Sequence, residues 1–409
     1  MPSPRPVRPL ILVQIDPASD QIGGIQSFIR GFVKWAPDDF DPEFVGVSAD
    51  PERRPLGRWL TVAVEGRPVR YFAIGRIRDL DRRNRIPLAL TYTLALLRRD
   101  AAIGTRGRIL QFHRAGVPLA FLRDRQPKIQ VVHLNVGDIY GQRGESRWRL
   151  LPGLYHRVED LTLPRMDRVF VVNEAGVAFY RSRHPRLADR FEFLPTWVDE
   201  TIFFSRPEDE RSSLRAELAA ALGLPAGARI VLFVGRLEQQ KDPELAVDAF
   251  AVTLGAVPDA CLLVVGAGTL RQETERKVAA SVHADRIRFL GSRPRPEVAR
   301  LMNAADLLLL SSRFEGMPIT VIEALACGLP VVATNVGEVP RLVVDGVTGR
   351  LAADRSAAAL ADGLAWVLAR PPGALAEACV ATAARYHAAP TLAPFYEAHY
   401  RLAARAGTG

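Results

Sequence analysis

Three cysteines in 409 residues, at spacings that fit neither a disulfide framework nor a zinc site, exclude a small crosslinked fold and a structural metal domain. Cys261, Cys327 and Cys379 lie in apolar or alanine-rich surroundings and read as small core residues in a reducing compartment. Long apolar runs are missing too. The longest, 86–97, has about 12 residues against the roughly 20 that a spanning helix needs. The first, 10–15, is too short for a signal-peptide core and meets Asp16 with no small-residue cleavage site, so export by that route is not expected. There is no low-complexity tract, Walker phosphate loop or nucleophilic serine elbow. Gly266-Ala267-Gly268 lacks the third glycine of a dinucleotide fingerprint. Asp39-Phe40-Asp41 and Asp79-Leu80-Asp81 only superficially resemble an Asp-x-Asp metal site and read as solvated turns.

What is present is an ordinary globular composition, 48% hydrophobic and 24% charged, on a chain longer than one core usually supports. Short β-rich runs alternate with helical patterns, the signature of parallel sheets with crossover helices. In the first half the clearest strands are 10–15, 44–47, 109–112, 129–134 and 168–172; in the second, 230–234, 261–265, 287–290, 307–310 and 331–333. Several are apolar on both alternations, as strands covered on both faces are. A proline-containing stretch, 193–207, without apolar periodicity separates the halves. The expected division is 1–198, 199–386 and a last helical segment, 387–409.

Charge is uneven. Residues 1–200 carry 32 Lys+Arg and 23 Asp+Glu, the remainder 22 of each, so the net +9 belongs to the first half. Such a surface attracts nucleic acid, anionic lipid or phosphorylated substrates without choosing among them.

Two constellations carry chemistry. Ser311 to Pro330 reads SSRFEGMPITVIEALACGLP directly after a strand. Glu315 and Glu323 would stand roughly 80° apart on one helix, so Glu315 is better placed in a loop, with the helix starting near Pro318. Amides around Gly316, Met317 and Ile319 then point outward as anion donors. The structural alternative is a capping box formed by Thr320 and Glu323. The second constellation is Gly235-Arg236-Leu237-Glu238-Gln239-Gln240-Lys241-Asp242, with Asp242 and Pro243 starting a helix. Arg236 and Lys241 stand where strand passes to helix, a place suited to a diphosphate, although a solvated surface pair would look the same in isolation.

Together these segments, with the ACLLVVGAG and RFLGS strands, resemble retaining glycosyltransferases of family 4, the glycosyl transferases group 1, in order from Val231 to Leu351. Gly23-Gly24 after the first strand resembles that family's glycine loop. The resemblance implies the GT-B fold, an α/β architecture of two Rossmann-like doubly wound domains facing a central cleft, the first for the acceptor and the second for the donor, with the last helix, 387–409, crossing back to pack on the first. It also implies a nucleoside-diphosphate sugar as donor substrate, no further cofactor and no metal. Arg236 and Lys241 would bind the donor diphosphate, Glu323 the ribose hydroxyls and Glu315 the sugar near its anomeric carbon. Gly23, Gly24, Gly235, Gly316, Met317 and Ile319 would complete the donor site.

The sequence departs from the family in two places. Val136 precedes Gly137 where a histidine is common, leaving His133 and His113 as candidates for the cleft, with His113 preferred and a core or loop histidine an equal reading of each. Arg341 replaces the usual acid in Gly337-Glu338-Val339-Pro340-Arg341. The function implied is transfer of a hexosyl unit to a hydroxyl acceptor, a lipid-linked or polysaccharide precursor among the candidates. Sugar-nucleotide epimerisation or hydrolysis, and a non-enzymatic nucleic-acid-binding role resting on charge alone, are the alternatives. The expected location is the cytoplasm, with peripheral attachment to an anionic membrane through Arg76, Arg78, Arg82, Arg83 and Arg85 ahead of the apolar 86–97 segment. A buried crossover helix is the plainer reading of that segment.

Overall fold

The computed structural model describes residues 6–19, 24–77, 88–133, 152–225 and 227–407. Two compact units result: Met1–Pro195 together with Ala389–Gly409, and Thr196–Ala388.

The first unit is built on an eight-stranded sheet: β1 Pro9–Leu12, β2 Glu43–Ser48, β3 Trp59–Val64, β4 Arg67–Arg76, β5 Ile109–Phe112, β6 Lys128–Val132, β7 Arg168–Val171 and β8 Phe191–Phe193. Their spatial order is β3-β4-β2-β1-β5-β6-β7-β8, and every pairing is parallel except β3 with β4. That antiparallel hairpin turns at Glu65 and Gly66, both at positive φ (49° and 78°), the geometry that a two-residue turn between twisted strands demands. Helix Leu88–Ile103 buries Tyr92 and Leu96 in the sheet's core and leaves Leu94 and Leu97 exposed, so the apolar 86–97 segment includes a packed crossover helix. Four of the arginines before it, Arg78, Arg82, Arg83 and Arg85, lie outside the described residues, as do Gly23, Asp79-Leu80-Asp81, Val136 and Gly137.

Helix Ala388–Gly407 packs on this first unit. Phe395 meets Phe170 edge-on at 4.7 Å, Tyr396 Oη donates to the Phe32 carbonyl at 2.7 Å, and Tyr400 Oη to Asp39 at 2.5 Å. Asp39-Phe40-Asp41 is therefore not a free solvated turn. Phe40 is buried against Tyr396 and Tyr400, and Asp39 anchors the helix.

The second unit holds β9 Arg229–Val234, β10 Ala260–Val265, β11 Ile287–Gly291, β12 Leu307–Leu310, β13 Val331–Thr334 and β14 Gly349–Ala352, in the order β11-β10-β9-β12-β13-β14, all parallel. Alternate residues serve opposite faces, as the two-residue period of a strand requires. Ile230, Leu232, Leu308 and Leu310 enter one core, and Val231, Phe233, Leu307 and Leu309 the other. The three cysteines are buried here and unpaired. In this doubly wound order the crossovers leave in opposite directions from β9 and β12, and a crevice opens beyond their carboxyl ends, where such sheets bind ligands. In the first unit, β1 and β5 occupy the equivalent place.

Candidate active site

Both constellations emerge at the switch point of the second unit. Residues 235–242 follow β9 and residues 311–317 follow its neighbour β12, which brings Lys241 Nζ to 2.5 Å from Glu315 Oε1 across 74 positions of sequence. Ser312 Oγ donates to the same carboxylate oxygen at 2.6 Å. Both members of the pair are largely removed from water, with Lys241 at 14% and Glu315 at 6% side-chain exposure. Glu315 stands in the loop, as its spacing from Glu323 predicts, and the helix that follows is Ile319–Ala326 with Pro318 as its N-cap. Thr320 is thus inside the helix and caps nothing, which removes the capping-box alternative for Glu323. Within the first turn Val321 N reaches back to Pro318 O at 3.1 Å, while the amides before it have no partner one turn back along the helix.

Backbone hydrogen bonds tie the two loops together. Arg313 N donates to Gln240 O at 2.8 Å, and Gln240 Nε2 to Phe314 O at 3.2 Å. Ser311 Oγ reaches the carbonyls of Lys241 and Asp242 at 2.9 and 2.8 Å. Asp242 caps helix Pro243–Thr253, accepts from Leu245 N at 3.4 Å and holds Arg313 at 3.0 Å and Arg355 in ion pairs. Its φ of +48° is one of two positive values outside glycine among the described residues, a strained backbone kept at the turn that aims Lys241. Arg236 is exposed, with Nη2 at 3.2 Å from the Gln240 carboxamide oxygen.

Glu323 is set apart from this pair. It is buried on helix Ile319–Ala326, with Arg295 Nη2 at 3.6 Å and Arg295 Nη1 at 3.7 Å from buried Asp199. Burial pushes its carboxyl up to about 7; Arg295 opposes the rise and Asp199 adds to it. A carboxyl raised in the folded state holds a proton that the unfolded chain releases between pH 4.5 and about 7, so stability is greatest below that window and falls as pH rises through it. We expect Glu323→Gln to match wild type most nearly at pH 5 and to gain on it by up to about 3 kcal/mol at pH 8. The pH dependence common to both chains carries Glu159, which burial also raises to about 7 against hydrogen bonds from Tyr180 and Tyr155, and buried histidines, whose lowered pKa values act in the opposite direction. Parallel wild-type and Glu323→Gln melting profiles would refute the assignment.

The supports of the site lie outside the two constellations. Gly266 and Gly268 run beside 235–237: Leu237 N donates to Ala267 O and Leu270 N to Leu237 O, both at 2.9 Å. A Cβ at Gly266 would lie 1.8 Å from Gly235 O. On the other side Gly337, at φ +54°, brings its turn under the Glu315 loop, with Glu338 N donating to Gly316 O at 3.0 Å. Arg341 pairs with Glu338 at 3.3 Å. The signal of these supports in the sequence is small residues directly after strands, without a complete glycine motif.

In the first unit, Gly24 opens helix Gly24–Lys34 with open space around it. His113 ends β5 but is 2% exposed, and both its ring nitrogens are engaged, by Gln111 and His133. His133, the other candidate for the cleft, follows β6 and is half-buried, so of the two it is the one that solvent reaches.

Residues 215–385 match the family described as glycosyl transferases group 1. The second unit is a group 1 glycosyltransferase domain. The chain is 34% identical over 237 residues to a D-inositol 3-phosphate glycosyltransferase of Mycolicibacterium paratuberculosis, covering 56% of this chain and 51% of that protein. A namesake from Segniliparus rotundus is 30% identical over 300 residues, 72% of this chain and 63% of that protein. The chain thus spans about half to two thirds of the length of these relatives. The GT-B fold extends to the whole chain. Sucrose-phosphate synthase from Thermosynechococcus elongatus superposes with a TM-score of 0.76 at 22% identity, over 97% of this chain and 100% of that one. Anabaena HepE in complex with UDP-glucose gives 0.68 at 18% identity, over 96% and 99%. The group 1 glycosyltransferase domain begins just before β9 and contains both constellations, and Lys241 and Glu315 occupy its switch point. Among the described residues no group of three or more His, Cys, Asp and Glu could hold a metal ion, and no helix is long and apolar enough to cross a membrane.

Proposed function

We propose that the chain transfers a hexosyl unit from a nucleoside-diphosphate sugar to a hydroxyl acceptor with retention of anomeric configuration. The observation that carries this is the Lys241–Glu315 pair at 2.5 Å, at the β9/β12 switch point of a group 1 domain. Arg236 and Lys241 would bind the diphosphate, and together with the amides of Gly316, Met317 and Ile319 offset the negative charge that grows on it as the glycosidic bond breaks. Gly235, with only Lys241 carbons at 3.4–3.6 Å from the place of a Cβ, leaves the loop backbone open to the phosphates. Glu315, anchored by Lys241 and Ser312, would accept hydrogen bonds from sugar hydroxyls; Glu323 would take the ribose. The donor is a substrate, and no resident cofactor is assigned.

A panel of sugar nucleotides in thermal-shift and transfer assays tests the reading. One should stabilise the chain by about 2.7 kcal/mol at a hundred times its dissociation constant. Turnover should continue in EDTA, since fixed cations and helix amides do the work otherwise done by a metal. Donor turnover that ignores added acceptor would favour hydrolysis or epimerisation, and activity lost to EDTA and restored by Mg²⁺ would overturn the metal-free mechanism.

We infer an acceptor at an anionic membrane surface, with the chain in the cytoplasm and no nucleic-acid partner. Support comes from the positive excess of the first 200 residues and from Leu94, Leu97 and Arg98, exposed together on helix Leu88–Ile103. Wild type should sediment with vesicles rich in anionic lipid at low salt and be released at high salt, while Arg78, Arg82, Arg83 and Arg85 changed to Ser should weaken this by about 1 kcal/mol per cation. Wild type left in the supernatant at low salt would point to a soluble acceptor.

A further inference from the structure

The first unit holds a line of buried polar side chains that donor binding does not use. His399, on helix Ala388–Gly407 and fully buried, places Nδ1 2.8 Å from the Phe395 carbonyl and Nε2 2.9 Å from Gln111 Oε1. Gln111, also fully buried on β5, has Nε2 2.8 Å from His113 Nε2 at the other end of its amide. His113 Nδ1 is 2.8 Å from Nε2 of His133, which follows β6. Phe28 seals the line, edge-on to His113, His133 and Phe395 at 5.4, 5.1 and 5.9 Å.

The line has a direction. A carbonyl only accepts, so His399 Nδ1 carries hydrogen. Burial pushes all three imidazoles down, His399 to about 4 and His133 to about 3, with Arg114 adding to the fall at His113 and His133, so each is neutral near pH 7 with a single N–H. His399 Nε2 is then a lone pair that needs the NH2 of Gln111. The Gln111 oxygen thereby faces His113 and requires hydrogen on its Nε2. His113 Nδ1 becomes the acceptor for His133 Nε2–H, and His133 Nδ1 is left as a lone pair. With Gln111 Oε1 left toward His399, that contact would need a fully buried imidazolium, and among the described residues no carboxylate offsets such a charge, so the chemistry assigns the amide with its oxygen and nitrogen exchanged, an exchange that leaves both distances in place. His113 and His133 sit at the carboxyl ends of β5 and β6, beside the β1/β5 switch point where such a sheet receives ligand.

We propose that His399 is a positioning residue: through Gln111 and His113 the terminal helix fixes His133 as the Nε2–H tautomer, and the Nδ1 lone pair of His133 accepts the hydrogen bond of the incoming acceptor hydroxyl. The acceptor half of this rests on the glycosyl-transfer reading above; the tautomer half does not. Long-range proton–nitrogen NMR on the full chain labelled with ¹⁵N-histidine should show Nδ1–H at His399 and Nε2–H at His113 and His133. In His399→Phe, and in Gln111→Met, which breaks the line from the strand side, His133 should become a mixture of tautomers. The acceptor KM should rise about tenfold, the loss of one hydrogen bond, with donor affinity unchanged. The double variant should be no worse than either single one, because both break the same line. If His399→Phe does not fold, Gln111→Met carries the test. Nδ1–H on wild-type His133, an unchanged acceptor KM or additive effects in the double variant would overturn the proposal. A chain that binds no sugar nucleotide but shows the expected tautomers sinks the transfer reading and leaves the relay standing.

Discussion

Lys241→Ala should lower kcat/KM for transfer by about 10²- to 10³-fold, the usual loss when one donor to a developing anion is removed from a preorganised site. It should also destabilise the chain, for a reason separate from catalysis. Glu315 is buried with Lys241 at 2.5 Å, and removing the cation leaves a carboxylate in a poorly hydrated loop with Ser312 on the same oxygen. Breaking one side of a buried pair typically costs about 3–5 kcal/mol. The two effects separate in the Lys241→Ala, Glu315→Gln double variant, where the charge left behind is gone: stability should return and transfer should not. Arg236→Ala gives the complementary pattern, a weaker donor complex at nearly unchanged melting temperature, because Arg236 is exposed. Normal transfer by Lys241→Ala, measured with the donor that stabilises wild type most, would remove the diphosphate assignment.

The pair was legible because each partner lies in the loop that follows a strand apolar on both alternations, and such strands occupy the middle of a parallel sheet. β9 and β12 are buried along most of their length and lie side by side, so two loops 74 residues apart had to meet. The β3–β4 hairpin was not legible in the same way. β3, WLTVAV, is apolar in sequence yet exposed at Thr61 and Ala63 on the sheet's edge, so it lacks the polar alternation that would mark a half-covered hairpin strand, and only Glu65-Gly66 marks the turn. The histidine line escaped for another reason: His113 and His133 are 20 positions apart, and Gln111 and His399 are 288 apart, with no local pattern announcing that a last helix returns to the first sheet with a histidine facing inward. Aromatic spacing in 390–404 indicated a helix; which residue it delivered depended on packing.

Glycine use in the donor loops leads to the second large effect. Gly235 is among the residues expected at the donor site, whereas Gly266, in the ACLLVVGAG segment, is given no role there and belongs to a motif that lacks its third glycine. The structure makes Gly266 the more constrained of the two. A Cβ on Gly235 would touch Lys241 side-chain carbons at 3.4–3.6 Å, an ordinary contact with a flexible chain. A Cβ on Gly266 would stand 1.8 Å from the Gly235 carbonyl oxygen, and its φ of +141° is closed to most side chains. Nothing flexible can yield there. Gly266 N donates to Gly291 O at 2.9 Å and Gly235 N to Val265 O at 3.0 Å, so both strand ends are pinned where the methyl would enter. Gly266→Ala should therefore cost about 3 kcal/mol or more, backbone strain added to overpacking, and lower the melting temperature by roughly 6–12 °C for a unit of this size. The displaced segment is the one that carries Arg236 and leads to Lys241, so donor affinity should fall with stability. Gly235→Ala should stay within about 1 kcal/mol of wild type. Gly316→Ala, with nothing within 4 Å of its Cβ, controls for substitution in a donor loop without a clash. A Gly266→Ala chain melting within about 2 °C of wild type, with donor affinity intact, would mean that the β9 and β10 loops are not held together as described.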